Sequence, residues 1–188
     1  MDAQARILRL NKSGVPLAWL TREEAATLIV KDRVLWSMGD NSFQIRGGFN
    51  NAGIQSVLNI PSIIASYGDV KISHYQPPKV CNELLFRRDH FLCLYCGNKF
   101  PEYQLTRDHI IPKWMGGSDR WTNVAASCRR CNQRKGGRTP EQANMPLIAV
   151  PFTPNKMELL VLSNRNILAD QMEFLEAGFS KNMRQHGN

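Results

Sequence analysis

Cys93-Leu-Tyr-Cys96 and Cys128-Arg-Arg-Cys131 are two CxxC pairs separated by 31 residues. Two thiolates at this spacing converge on one ion, and four of them close a tetrahedral site with no open position, the arrangement of structural zinc. One CxxC alone is equally a pair of buried cysteines or a redox motif. Two pairs inside one basic segment point to zinc and to a stretch of chain that the metal staples at both ends. Structural zinc binds with an apparent free energy of about 10–16 kcal/mol, so the metal would largely fold this region. Cys81 is left over and reads as a small buried hydrophobe.

The stapled stretch also carries the charge. Residues 86–140 hold eleven Lys/Arg against four Asp/Glu, which is +7 of the chain's net +8. Such a segment either meets a polyanion, releasing a counterion for each phosphate neutralised, or forms a solvated face. With 43% hydrophobic and 21% charged residues among 188, the chain has the composition of an ordinary globular protein. No apolar run approaches the roughly 20 residues of a membrane helix. The start, MDAQARILRL, lacks the apolar stretch of a signal peptide, so a cytoplasmic location without a membrane partner is expected. In that compartment cysteines point to metal more than to disulfides.

The pattern divides into three parts: 1–75, 79–146 and 147–188. In the first, Arg6 to Leu10 reads as a strand and Asn11 to Gly14 as a turn. Thr21 followed by Glu24 has capping-box spacing, predicting a helix to about Lys31. Val34–Met38 and Phe43–Arg46 read as strands, and Gly47–Gly53 as a loop. Gln76-Pro77-Pro78 marks a boundary, after which Val80 to Arg88 reads as a helix. In the last part, Met157–Leu162 looks strand-like, Asn164–Ala177 helical, and Ser180 onward frayed.

Between the cysteine pairs lies LTRDHIIPKWMGGSDRWTN (Leu105 to Asn123), and Asn132 follows directly on the second pair. RDHIIP, GG, WTN and CRRCNQRKG together resemble the HNH motif of ββα-metal nucleases, in the variant whose last position is Asn. The resemblance spans about residues 83–146. It implies an α+β chain: a ββα-metal nuclease core stapled by a four-cysteine zinc site, with an N-terminal α+β module and a C-terminal helix. The chemistry of the residues agrees. Phosphodiester hydrolysis needs an activated water and stabilised oxyanions. His109 is the natural general base, and Asp108 and Asn132 supply hard oxygens suited to catalytic Mg²⁺ or Mn²⁺. Asn123 takes the family role of holding the loop and orienting the histidine. Adjacent residues of a strand face opposite ways, so Asp108 and His109 serve one ion only at a strand end or irregularity. A regular strand through both counts against Asp108 as a ligand. Asp89-His90 repeats the dipeptide without an Asn partner and reads as structural or surface, and His74 and His186 have no motif context.

A short helix opening at Cys131 and Asn132 would run to Lys135 and stop at Gly136-Gly137. Arg130, Arg134, Lys135 and Arg138, with Lys113, are the candidate DNA contacts, made to phosphate and giving register more than sequence. Arg120, Trp114 and Trp121 either extend this footprint or, for the tryptophans, pack over the metal. The resemblance implies a double-stranded DNA substrate and 5′-phosphate and 3′-hydroxyl products; a homodimer would give two active centres. The competing reading is a zinc-bound nucleic-acid-binding module with a vestigial nuclease centre. Ile7 to Trp36 resembles a leader found before HNH domains in stand-alone bacterial nucleases and in some insertion-sequence RNA-guided nucleases. It is free to read DNA, to pair with a second copy, or to brace the catalytic part.

Overall fold

A computed structural model describes residues 5–67 and 75–186. His74 lies outside the described residues. The chain forms two compact units, one from residues 1–75 with 163–178, the other from 76–162 with 179–188. The C-terminal residues are therefore shared between the units and do not stand apart as a third segment.

In the first unit β1 (Ile7–Leu10) and β2 (Pro16–Leu20) form an antiparallel hairpin. Its turn is closed by Asn11, whose Oδ1 accepts from the Ser13 and Val15 N–H groups at 2.9 and 2.8 Å. The predicted capping box opens α1 (Arg22–Val30), with Glu24 N–H on Thr21 Oγ1 and Thr21 N–H on the Glu24 carboxylate. Two separate strands were expected next. The structure instead has one 16-residue strand, β3 (Val34–Phe49), paired antiparallel with β4 (Gln55–Ser66). Register breaks between Met38 and Ser42 let a single strand absorb the break in alternation. Gly47 and Gly48 lie within the strand and not in a loop. The loop thus shrinks to Asn50–Ile54, where Asn50 Oδ1 accepts from the Ala52 and Ile54 N–H groups. Strand order is β2-β1-β4-β3, with β1 and β4 parallel. Ile7, Leu20, Ala25, Ile60 and Ile64 form the core.

In the second unit α2 (Asn82–Arg88) packs against β5 (Leu105–His109) and β6 (Val124–Cys128), an antiparallel pair followed at once by α3 (Arg129–Lys135). This is the expected ββα order. Leu85, Phe86, Leu105, Trp121, Val124 and Ala126 are its core. A one-turn helix, α4 (Pro140–Ala143), follows.

Met157–Leu162 is a helix, not a strand: α5 (Lys156–Ser163). The missed signal is Asn155-x-x-Glu158, a capping pair in which Glu158 N–H reaches Asn155 Oδ1 at 3.0 Å and Asn155 N–H reaches the Glu158 carboxylate at 2.7 Å. The next helix, α6 (Ala169–Glu176), is shorter than expected. It belongs to the first unit, where the buried Gln171 donates to the Arg6 and Ser62 carbonyls, both at 2.8 Å. The expected fraying after Ser180 gives way to α7 (Lys181–His186). Ser180 Oγ accepts from Met183 N–H, and Met183 is buried against Phe152 and Leu162.

Candidate active site

The β5–β6 register pairs Leu105 with Cys128 at one end and His109 with Val124 at the other. At about 3.4 Å per residue, the cysteine end and the histidine end lie roughly 14 Å apart along the ribbon.

At the cysteine end, the turn after α2 carries Cys93 and Cys96, closed by Cys93 N–H to Asn98 O and Gly97 N–H to Cys93 O, both 2.9 Å. Cys128 ends β6 and caps α3, its Sγ accepting from Cys131 N–H. All four sulfurs lie within 4.8 Å of one another and can hold a metal ion. Metal–sulfur bonds of about 2.3 Å put the ligands of a tetrahedral site roughly 3.8 Å apart, so the donor set fits. Burial pushes the Cys93 thiol up, but backbone hydrogen bonds at Cys128, Tyr95 and Cys96 outweigh it and bring the thiol down to about 7. Cys131 is pushed up by burial, by its contact with Cys128 and by the neighbouring Cys93 charge. A cation among the four removes that conflict. Cys81 is outside this group and, contrary to expectation, exposed.

At the histidine end, β5 is regular through both Asp108 and His109, and its contacts follow the strand's alternation. Thr106 and Asp108 meet α3. Asn132 Nδ2 donates to Thr106 Oγ1 at 2.8 Å, while Lys135 Nζ lies 3.0 Å from Asp108 Oδ1 and 2.8 Å from the His109 carbonyl. The second Asp108 oxygen accepts from the Tyr95 hydroxyl; burial first, and then this bond, raises the Tyr95 phenol well above its ordinary range. Asp108 is 4% exposed and Lys135 1%. Both Asp108 oxygens are thus engaged, with the buried Lys135 ammonium as counter-charge. One expectation is corrected here. Lys135 is not free for DNA.

His109 belongs to the other face. Its Nε2 lies 2.8 Å from Asp119 Oδ1, which also has Arg107 Nη1 at 3.4 Å, while Asp119 Oδ2 holds Lys113 Nζ at 3.0 Å. These partners, Lys113 first and His109 next, hold the Asp119 carboxyl down at about 2. Asp119 was not among the predicted residues, although it is the one acid between Asp108 and Asn132. Asn123 ties the intervening loop: Nδ2 donates to Ile111 O and Ser118 O at 3.1 and 3.0 Å, and Oδ1 accepts from Ile111 N–H at 2.9 Å. Gly117 is required in this loop, because a Cβ would sit 1.7 Å from Ile111 O. The structure thus brings His109, Asp119, Lys113 and Arg107 together with the Asn123 clamp. Asp108 pairs with Lys135, and Asn132 with Thr106.

Of the remaining predicted contacts, Arg130 and Arg134 are exposed on α3. With Arg129 they line a cavity of about 510 Å³ beside the cysteine turn. The Arg138 guanidinium closes the end of α3 on the Arg134 and Lys135 carbonyls. Trp121 is core, its indole donating to Pro78 O, whereas Trp114 is 75% exposed and bonded to Gly137 O.

Residues 93–148 match a family model described as HNH endonuclease. A CRISPR-associated endonuclease Cas9 of Corynebacterium diphtheriae is 37% identical over 51 residues, 27% of this chain and 5% of that protein. The solved structure of the Type II-C Cas9 enzyme from Actinomyces naeslundii aligns at 20% identity with a TM-score of 0.33, covering 57% of this chain and 12% of that one. The chain therefore spans a small part of either relative. Motif, family match and ββα order agree on the segment: residues 93–148 are an HNH endonuclease domain.

Proposed function

We propose that the chain is an endonuclease that hydrolyses phosphodiester bonds of double-stranded DNA, with His109 as the general base and products ending in 5′-phosphate and 3′-hydroxyl. The observation that carries this reading is the imidazole itself. It is 18% exposed and bonded through one nitrogen to a carboxylate that two cations also hold, on the ββα hairpin of an HNH domain. Asn123 fixes the loop that follows it. Arg130 and Arg134, one turn apart, offer charge to phosphates flanking the cut, and Lys113 and Arg138 extend that surface. The four-cysteine site is assigned to structural zinc, remote from the reaction. Mg²⁺ or Mn²⁺ remains a requirement of the proposed reaction, supplying charge at the leaving 3′-oxygen when bound. Asp108, next to His109, and Asn132, on α3, are the oxygen donors that would hold it. No helix among the described residues is long and apolar enough to cross a membrane; the proposed site of action is the cytoplasm.

Plasmid cleavage with Mg²⁺, Mn²⁺ or EDTA, comparing the native chain with His109→Ala, tests the reading. Loss of the base should slow cleavage by about 10²–10⁴-fold and leave DNA binding unchanged. The Asp108–Lys135 pair favours one competing reading, a zinc-stabilised nucleic-acid-binding module with a vestigial centre. That reading wins when both proteins bind DNA equally and neither cuts with any metal.

The two cations of α3 should separate in a binding experiment. Arg134→Ala is expected to weaken DNA binding on unrelated sequences alike and to shallow the salt slope by about one unit, with no change in melting temperature. Lys135→Ala should do the reverse: melting falls, because Asp108 is left buried without its counter-charge, and the salt slope stays. A loss of affinity confined to one sequence would show Arg134 reading bases.

A further inference from the structure

The carboxylate that His109 meets is not its neighbour Asp108 but Asp119, ten residues further on. We propose that Asp119 is the positioning residue of the general base: it accepts the Nε2–H of His109 and so leaves the lone pair on Nδ1, the nitrogen that takes a proton from the attacking water. This rests on the nuclease reading above.

Three observations support it. The Nε2–Oδ1 distance is 2.8 Å, that of a formed hydrogen bond. An ionised carboxylate only accepts, so the ring nitrogen facing it carries the hydrogen and the other is basic. Asp119 stays ionised across any working pH, because Lys113 and Arg107 flank it. Its place is also built in. Asn123 Nδ2 holds the carbonyl of Ser118, the residue before Asp119, and the same side chain grips Ile111, two residues after His109. One clamp therefore sets both members of the dyad.

The step balances without further reagents. Nδ1 removes one proton from water as its oxygen bonds to phosphorus. The P–O3′ bond breaks and the 3′-oxygen takes a proton from solvent, while the imidazolium returns its proton to solvent. Asp119 keeps its negative charge throughout and stabilises the imidazolium, as the acid of a Ser-His-Asp triad does.

Asp119→Asn is the informative variant. Lys113 lies closer than Arg107, at 3.0 against 3.4 Å, so the amide should give its oxygen to Lys113 and turn its NH₂ toward His109. The imidazole then flips to the Nδ1–H tautomer, with its lone pair on the wrong nitrogen. Ring ¹⁵N shifts of His109 in the labelled full-length chain report this without any cleavage. The native protein should show Nε2–H with a proton protected from solvent exchange, and Asp119→Asn should show Nδ1–H. Asp119→Ala should lose the protected proton. In both variants kcat for plasmid cleavage is expected to fall by about 10²–10⁴-fold, KM should not rise, and melting should hold.

An unchanged tautomer with an unchanged rate overturns the dyad while leaving the nuclease reading in place. A faster Asp119→Ala overturns it too, making Asp119 a clamp on the base. A native chain that never cleaves ends both the nuclease reading and the catalytic role of Asp119, and the ring shifts then show whether the hydrogen bond exists apart from catalysis.

Discussion

Removing the metal from the four-cysteine site is expected to unfold the unit built on residues 76–162, while leaving the sheet of the first unit folded. A structural tetrathiolate site contributes about 10–16 kcal/mol, as much as or more than the roughly 5–15 kcal/mol that separates a typical folded domain from its unfolded state. The four sulfurs come from two places: a turn after α2 and the junction of β6 with α3. Without an ion, a thiolate at Cys93 raises its neighbours, so the cluster loses its attraction and gains a repulsion. The chain should carry one zinc, measured by mass spectrometry of the metal. A chelator, or Cys128→Ser, should abolish hydrogen-exchange protection in β5 and β6 and expose Trp121, seen as a red-shifted indole emission. Protection of β1 and β4 should persist, since Ile7, Ile60 and Ile64 form a separate core. Cys81→Ser is the control and should change nothing. A metal-free chain that keeps protected β5 and β6 amides would show that the cysteines merely sit together.

The features legible in the sequence were those set by local spacing. The CxxC pairs and the Thr21–Glu24 box depend on residues a few positions apart, and the order of β5, β6 and α3 came with the resemblance to the HNH motif. What the sequence hid was set by partners far along the chain. β4 contains Pro61, which argues against a central strand, yet β4 lies between β1 and β3 with Ile60, Ile63 and Ile64 all buried. Lys135 was grouped with Arg134 as a surface cation, but neighbours on a helix point about 100° apart. Lys135 shares the inner face with Asn132, three residues back, so periodicity alone would have separated it. Asp108 and His109 were expected to serve one ion at a strand end; they do close β5, but Asp108 meets Lys135 while His109 meets Asp119. Asp119 had a usable signal as the one acid in the inserted loop; only the fold shows that it reaches His109.

Arg88→Met should cost the second unit about 3–5 kcal/mol, the usual penalty for removing one member of a buried charge pair. Arg88 and Asp89 are both fully buried. All five guanidinium donors are used: two on the Asp89 carboxylate, two on the Trp121 and Phe152 carbonyls, and one on the Val124 carbonyl. Asp89 in turn accepts Ala126 N–H at 2.7 Å. Removing the guanidinium therefore strands a carboxylate and three carbonyls in the core. Lysine should not rescue the loss, because three donors cannot meet a planar set of acceptors. Arg88→Met combined with Asp89→Leu should cost less than the sum of the single changes, since no charge is left alone. Denaturant melts of the four variants measure this, and a single-variant loss below about 1 kcal/mol would mean that water reaches the pair. The consequence extends to the candidate active site. Trp121 and Val124 flank the clamp residue Asn123, so Arg88 holds both ends of the segment that fixes the His109 loop. Arg88 precedes the segment that matches the HNH family and Phe152 follows it. A fragment limited to 93–148 would lose both, and with them the anchor that sets Asn123, so it should bind zinc yet cleave far more slowly than the whole chain.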